Sequence, residues 1–441
     1  MNRPLDLALL CLVACGAEAV PPTPVAVPDQ APPAQAVPNG AMPGASRAAS
    51  PATRVSLLPT DFNGTSAEAQ AEFAVGSNAL SFGLFAHRPG GNIVLGSGSI
   101  SLALAMTWAG ARGTTAAELA ACTGFGPNTH AAVAGLLREY NAPGSPLSLA
   151  NRLYAEETHP FEAPFGELMR ARYAAPVEPV DFRRGSNAAR LRINQWVTDQ
   201  TNGRITDLLP NASVDYLTRL ILVNAAYFLG VWETPFDGAL TTERPFSMAA
   251  GNDANVPMML INEELAHADG DGVQIVELPY AGGRFSMVIV VPKTRFGLAD
   301  IEARLSPTQW ARWMASLASG PASLLLPRFE MNLDPSLSLV ETLRQLGVES
   351  AFDEASADFT GMAPRLPSGA GLYVSDVLHR AFIRVDEAGT EAAAATAVVM
   401  ATESGAPPPP PFTVRADQPF LFFVRDVRSG LILFIGRVAA P

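Results

Sequence analysis

Five histidines, His87, His130, His159, His267 and His379, are scattered along the chain without the spacing that would set two on one helix face for a metal. There is no G-x-S-x-G elbow for a nucleophilic serine, no H-E-x-x-H pair, no C-x-x-C pair and no phosphate-cradling glycine loop. Asp269-Gly270-Asp271-Gly272 hints at a calcium loop but lacks the spaced acidic ligands and closing glutamate, and reads as a turn. Cys11 and Cys15 fall in an N-terminal apolar segment, which leaves Cys122 alone in the body with no intrachain disulfide to make; it reads as a buried structural thiol. The residue inventory therefore argues against an enzyme and calls for no cofactor and no metal.

The chemistry that remains lies near the C-terminus, in Glu387 to Met400 and the residues that follow. Glu387-Ala388-Gly389-Thr390-Glu391 runs into Ala392, Ala393, Ala394 and Ala395, then Thr396-Ala397-Val398-Val399-Met400. Alternation makes it a strand, and its alanines make it a helix. A segment with divided preferences suits two conformations. Taken alone, Ala392–Ala395 would be surface helix. Beyond it Glu403 offers a carboxylate, either a solvated charge or something a cationic pocket could read, before the stiff tract 407–411 of five prolines.

The elements that must carry this segment are legible from about Asp61 onward. Thr115-x-x-Glu118 has the capping-box pattern of a helix start. Ser186 to Gln200 sets Ala189, Ile193, Trp196 and Val197 on one helical face, with Gly203 as a terminator. Leu339, Val340, Leu343 and Leu346 make a second face, stopped by Gly347. The continuous apolar runs from Ile221 to Phe228 and from Phe285 to Val291 suit strands buried on both faces. The runs from Phe420 to Val424 and Leu431 to Val438 read as a C-terminal hairpin. With no low-complexity break before Gly405, residues 61–441 form one α+β domain of roughly 380 residues, above the ~250–300 typical of a single core.

A series of fragments, each weak alone, explains that size. Asn92-Ile93-Val94-Leu95 leads to Ser99-Ile100-Ser101 and to Trp108-Ala109-Gly110-Ala111-Arg112-Gly113-Thr114-Thr115. Ile193-Asn194-Gln195-Trp196-Val197, Thr201-Asn202-Gly203-Arg204-Ile205 and Leu222-Val223-Asn224-Ala225-Ala226-Tyr227-Phe228 follow, with Trp232 and Pro235-Phe236. Then come Val256-Pro257-Met258-Met259, Glu277-Leu278-Pro279-Tyr280, Leu326-Pro327-Arg328-Phe329, Ala357-Asp358-Phe359-Thr360-Gly361, His379-Arg380-Ala381-Phe382 and Pro419-Phe420. In this order they resemble the serpins, the serine protease inhibitors that insert a cleaved loop into their own β-sheet. One departure is Gly96-Ser97-Gly98-Ser99, where serpins usually have Ser-Pro; two glycines there should loosen a helix start beneath the central sheet.

The resemblance implies a serpin fold: a large central mixed sheet, further sheets, eight to nine helices, and a mobile reactive loop at about 387–411. It makes Glu387, Gly389, Thr390, Glu391, Ala392–Ala395 and Thr396 the loop's hinge, held above a five-stranded sheet until a protease forms an acyl-enzyme. The freed hinge then inserts as a central strand and distorts the tethered enzyme. Insertion would turn Thr390, Ala392, Ala394, Thr396, Val398 and Met400 inward with no charge among them, and Glu391 outward. Thr390 to Glu403 would span roughly 46 Å at ~3.3 Å per residue. Bulky or charged hinge residues, the mark of non-inhibitory relatives, do not occur. Counting from Gly389 by the family's hinge length sets the bait bond at Glu403–Ser404, which implies a glutamyl endopeptidase. A bond at Met400 or Thr402 would instead imply a subtilisin-, elastase- or chymotrypsin-like target. Ser99, Asn224 and His379 are implied to hydrogen-bond beneath the central strands, and Trp232 to pack where the hinge enters. The rival within the family is a non-inhibitory surface binding protein, whose loop would be cut without insertion.

The N-terminus adds a location. The short apolar run behind Arg3 ends Leu12-Val13-Ala14-Cys15-Gly16, which resembles a bacterial lipoprotein cleavage box with Cys15 lipidated; an ordinary cleaved signal is the alternative. On this reading 1–15 is a leader and 16–60 a Pro- and Ala-rich tether that buries too little to fold. The expected protein is exported, anchored through lipid or secreted, and monomeric. A net charge of -12, with Lys293 the only lysine, argues against nucleic acid and against polyanion activation.

Overall fold

The protein is described from a computed structural model, covering residues 8–16, 57–248, 253–333, 335–390 and 411–441. Its main path sheet runs, edge to edge, Phe329–Asn332, Leu372–Val385, Ala8–Gly16, Thr218–Phe228, Leu147–Glu156 and Val177–Val180, with Leu337–Ser338 also paired to Leu372–Val385. Only the outer pair Leu147–Glu156 and Val177–Val180 is parallel, so the sheet is mixed. A second sheet contains the expected C-terminal hairpin, Phe420–Asp426 against Ile432–Val438, beside the wholly buried strand Phe285–Pro292. Thr218–Phe228 and Phe285–Pro292 confirm the continuous apolar runs as central strands.

Nine α-helices pack on these sheets among the described residues. Phe182–Gln200 buries Ala189, Ile193 and Val197 on one face of the central sheet, and Gly203 closes its end with a φ of 78° and an N–H bonded to the Thr198 carbonyl. Ser97–Gly110 lies on the opposite face and is buried along nearly all its length.

One local expectation fails for a tertiary reason. Thr115 lies inside the helix Gly113–Thr123 rather than at its cap, and Arg112 precedes the helix with no side-chain cap bond. The Thr115 hydroxyl instead accepts from the Asp358 N–H at 3.0 Å and meets the Ser350 hydroxyl. Glu118 accepts from the N–H groups of Glu349 and Ser350 and from the Ser350 hydroxyl. The pair holds a distant turn rather than its own helix end. At Gly98, inside Ser97–Gly110, a Cβ would lie 3.2 Å from a Leu433 methyl, so the glycine allows close packing on the Ile432–Val438 strand.

The main departure from the resemblance is in the sheet's centre. Where five strands were expected, Ala8–Gly16 forms another, antiparallel to both Leu372–Val385 and Thr218–Phe228. It runs from Ala8 opposite Ala381 and Ala226 to Gly16 opposite Leu372. Seven consecutive apolar residues, Ala8 to Ala14, give it the composition of a strand covered on both faces.

Candidate functional site

The hinge begins as the Leu372–Val385 strand ends. Asp386 and Gly389 form a tight reversal, and Gly389–Thr390 then pairs antiparallel with Gly230–Val231, Gly389 opposite Val231 and Thr390 opposite Gly230. No side chain fits at the crossing: a Cβ on Gly389, where φ is 152°, would stand 2.1 Å from the Gly230 oxygen. Further backbone bonds fix the same corner, Trp232 N–H to the Ala388 carbonyl and Phe236 N–H to the Glu387 carbonyl. Gly389–Thr390, where the hinge is expected to start, is thus a short strand in a two-stranded sheet with Gly230–Val231.

Trp232 is fully buried beside this corner. Its ring stacks on Tyr280 at 4.5 Å and 13°, and its Nε1–H donates to the Asp386 carbonyl at 3.0 Å. Thr390 is buried against this pair, with its hydroxyl 2.7 Å from the Tyr280 hydroxyl. Glu387 is clamped by Arg328, whose Nε lies 2.8 Å from both carboxylate oxygens, and accepts from Thr241 at 2.5 Å. Partial burial pushes the Glu387 pKa up, but the hydrogen bonds from Arg328 and Thr241 outweigh it and hold it below the ordinary glutamate value.

Beneath the strands, the Ser99 hydroxyl meets the Asn224 side-chain oxygen, Asn224 donates to Asn151, and Asn151 donates to the Tyr173 carbonyl at 2.8 Å. His379 is fully buried but sits on the far side of the inserted strand; Leu10 is the register partner of both His379 and Asn224. Its Nε2 accepts from the Gly96 N–H, at the start of the helix that carries Ser99. The structure therefore joins Ser99 to Asn224 and sets His379 one strand away, tied to the same helix.

Glu391, Ala392–Ala395, Thr396, Met400, Thr402, Glu403 and Ser404 lie outside the described residues, as does most of the 16–60 segment. Tyr280, Arg328, Thr241, Asn151 and Gly96 were not singled out as site residues from sequence. Tyr280 and Arg328 stand within fragments that carried the resemblance, yet nothing in their spacing joins them to a hinge more than fifty residues away.

The other candidates are structural. Asp271 accepts from Gln309, and its carbonyl from Arg304, while Lys293 pairs with Asp269, so the aspartate-glycine run is a braced turn. Cys122 is a free thiol whose pKa burial pushes up to about 11, which leaves it protonated and unreactive at neutral pH.

A family model for serpins (serine protease inhibitors) matches residues 76–441. The chain is 38% identical over 365 residues to leukocyte elastase inhibitor A of Rattus norvegicus, covering 80% of this chain and 94% of the relative. It is 38% identical over 375 residues to the Homo sapiens leukocyte elastase inhibitor, covering 82% and 96%. Among solved structures it is similar to a cleaved serpin 42Da, with a TM-score of 0.75 and 29% identity, over 85% of this chain and 99% of that one. A loop-inserted structure of a cleaved ovalbumin mutant gives a TM-score of 0.72 and 28% identity, over 84% and 100%. With its fold, its hinge corner and these matches in agreement, the chain belongs to the serpin family of serine protease inhibitors.

Proposed function

We propose that this serpin is inhibitory and traps serine endopeptidases as acyl-enzymes by inserting its cleaved loop into the central sheet. The observation that carries the reading is the Gly389–Thr390 strand: it pairs with Gly230–Val231, which follow the central strand Thr218–Phe228 in the chain, and Thr390 is buried with its hydroxyl against that of Tyr280. The next residues in sequence, Glu391 and four alanines, add only one charge, on the outward alternation. Relatives named as leukocyte elastase inhibitors support an inhibitory role. Neighbours described as cleaved or loop-inserted are in keeping with a central sheet that accepts one strand more.

The bait bond is Glu403–Ser404, suited to a protease with a cationic specificity pocket; a trypsin-like pocket, which holds an aspartate, would repel it. Cys15 carries a lipid after leader removal, so the monomeric inhibitor works outside the membrane on a Pro- and Ala-rich tether. No described helix is long and apolar enough to cross a membrane.

The test is a denaturing gel of the protein mixed with glutamyl, subtilisin-like, elastase-like and trypsin-like proteases, with the released C-terminal peptide weighed. An SDS-stable complex and a peptide starting at Ser404 is the expected result. A complex with a peptide starting at Ala401 or Glu403 moves the bond to Met400 or Thr402 and the target class with it. Cleavage by every protease without a complex would sink the inhibitory reading and leave a binding protein.

A further inference from the structure

Asn-x-Ser/Thr, the pattern whose side-chain amide can accept a sugar, occurs twice in the chain, as Asn63-Gly64-Thr65 and Asn211-Ala212-Ser213. The two stand far apart in sequence, yet they take the same shape. The Thr65 N–H donates to the Phe62 carbonyl at 3.1 Å, and the Ser213 N–H to the Pro210 carbonyl at 3.2 Å. Each asparagine thus holds the second position of a four-residue turn. The third position has a positive φ in both, 77° at Gly64 and 65° at Ala212, as a type II turn requires. Ala212 adopts that φ despite its Cβ, braced by a second bond from the Ser213 hydroxyl to the Pro210 carbonyl at 2.8 Å. At the other turn, the Asn63 N–H donates to the Asp61 carboxylate and the Asn63 carbonyl accepts from Arg172. Asn63, Gly64, Asn211 and Ala212 are all exposed. Two braced turns therefore carry an asparagine at a solvent-facing corner.

We propose that Asn63 and Asn211 are N-glycosylation sites, whose donor is a sugar linked to a polyprenyl pyrophosphate. The inference is independent of protease inhibition and rests on the export reading above, because that donor meets chains that are crossing a membrane. In the transfer, the asparagine Nδ2 bonds to the anomeric carbon of the sugar. The bond from that carbon to the pyrophosphate oxygen breaks, its electron pair leaves with the lipid pyrophosphate, and one amide proton passes to a base of the transferase. A carboxamide nitrogen is a weak nucleophile, since its lone pair is shared with the carbonyl. The hydroxyl two residues on is the handle by which a transferase binds and orients it. In the folded protein both hydroxyls are engaged, Thr65 with the Ala131 carbonyl and Ser213 with that of Pro210. Transfer therefore precedes closure of the turns. Once the turns close, the exposed corners hold the sugar outside the core, where it adds bulk and solubility.

The test isolates the full chain from the cells that make it and reads its peptides by mass spectrometry, the N-terminal peptide included. Sugar mass on the Asn63 and Asn211 peptides is the expected result. Thr65→Val and Ser213→Ala keep the asparagines but remove the hydroxyls, so each should lose all sugar at its own turn and none at the other. Thr65→Ser and Ser213→Thr should keep it. Asn63→Gln leaves the Thr65 hydrogen bond in place and should also be bare at residue 63, with circular dichroism checking that each variant is folded. Sugar that persists in Thr65→Val and Ser213→Ala overturns the assignment to these motifs, and sugar at one turn only overturns the other site. Bare asparagines in a protein whose leader has been removed overturn the proposal and leave the export reading standing. Bare asparagines in a protein that still begins at its leader overturn both.

Discussion

On the proposed inhibitory mechanism, Thr390 is the residue on which the hinge's first step turns. Its side chain is small, uncharged and already buried against Tyr280. Thr390→Arg would bury a cation beside the Tyr280 hydroxyl, at a cost of about 3–5 kcal/mol. The expected outcome is a protein cut by its target without a covalent complex, read on a denaturing gel; unchanged complex formation would refute the hinge assignment. Glu387 does different work, locking the corner that Thr390 leaves. Because its folded pKa lies below its ordinary value, the Glu387 carboxylate adds stability above that value and loses it as pH falls through the lowered one. Acidification below pH 4.5 should therefore loosen the hinge base. Arg328→Ala should do so at neutral pH, at a cost of about 1 kcal/mol for a half-exposed pair. Emission from Trp232, buried beside that corner, gives the readout: the variant should show at pH 7 the change that the parent shows only in acid.

At the scale of elements, two glycines let the hinge strand cross. Gly389→Val would drive side-chain carbon into the Gly230 carbonyl, and a Cβ on Gly230 would meet the rings of Phe228 and Tyr280 within 2.5 Å. The expected result of Gly389→Val is expulsion of Gly389–Thr390 from the mouth, seen as faster exchange of the Trp232 amide, with the strand Leu372–Val385 still protected. On the opposite face, the helices Ser97–Gly110, Thr129–Tyr140 and Ala163–Tyr173 meet at His130. Its Nδ1 lies 2.6 Å from the Tyr173 hydroxyl and its ring packs 5.3 Å from Trp108. Burial, with the nearby Arg172 charge, pushes the His130 pKa down to about 4. The neutral ring therefore supports the fold fully above pH 6.5. Between pH 6.5 and 4 the unfolded chain takes up a proton that the folded one refuses. Stability should fall by about 1–2 kcal/mol by pH 5. Denaturant titrations at pH 7 and 5 test this, and the part due to His130 should vanish in His130→Phe.

For the whole molecule, the proposed mechanism requires that the sheet gain a strand when the loop is cut. The protein should unfold at least about 10 °C higher after loop cleavage, since every ~1 kcal/mol is worth on the order of 2 °C at this size. No rise would identify a loop that is cut without inserting. Much of this architecture follows from the sequence itself. The runs from Ile221 to Phe228 and Phe285 to Val291 are apolar without alternation, which only a doubly covered strand satisfies, and Gly203 and Gly347 end helices because the chain turns left-handed there. The small uncharged residues at alternate positions of the expected hinge are likewise a local property of the sequence, and those from Ala392 to Thr396 lie outside the described residues. Thr115 and Glu118 show where local pattern fails: a capping box and a tertiary clamp use the same hydrogen-bonding groups, and only the position of Ser350 decides between them. Arg328 and Thr241 reach Glu387, and Tyr280 reaches Thr390, across separations that no periodicity spans. The sequence by itself determined which segments of the body could be strands, while the apolar run Ala8–Ala14 read only as part of a leader. Only the tertiary structure decided which strand takes the place between Thr218–Phe228 and Leu372–Val385, because strand pairing is a choice among distant segments with similar backbone hydrogen bonds to offer.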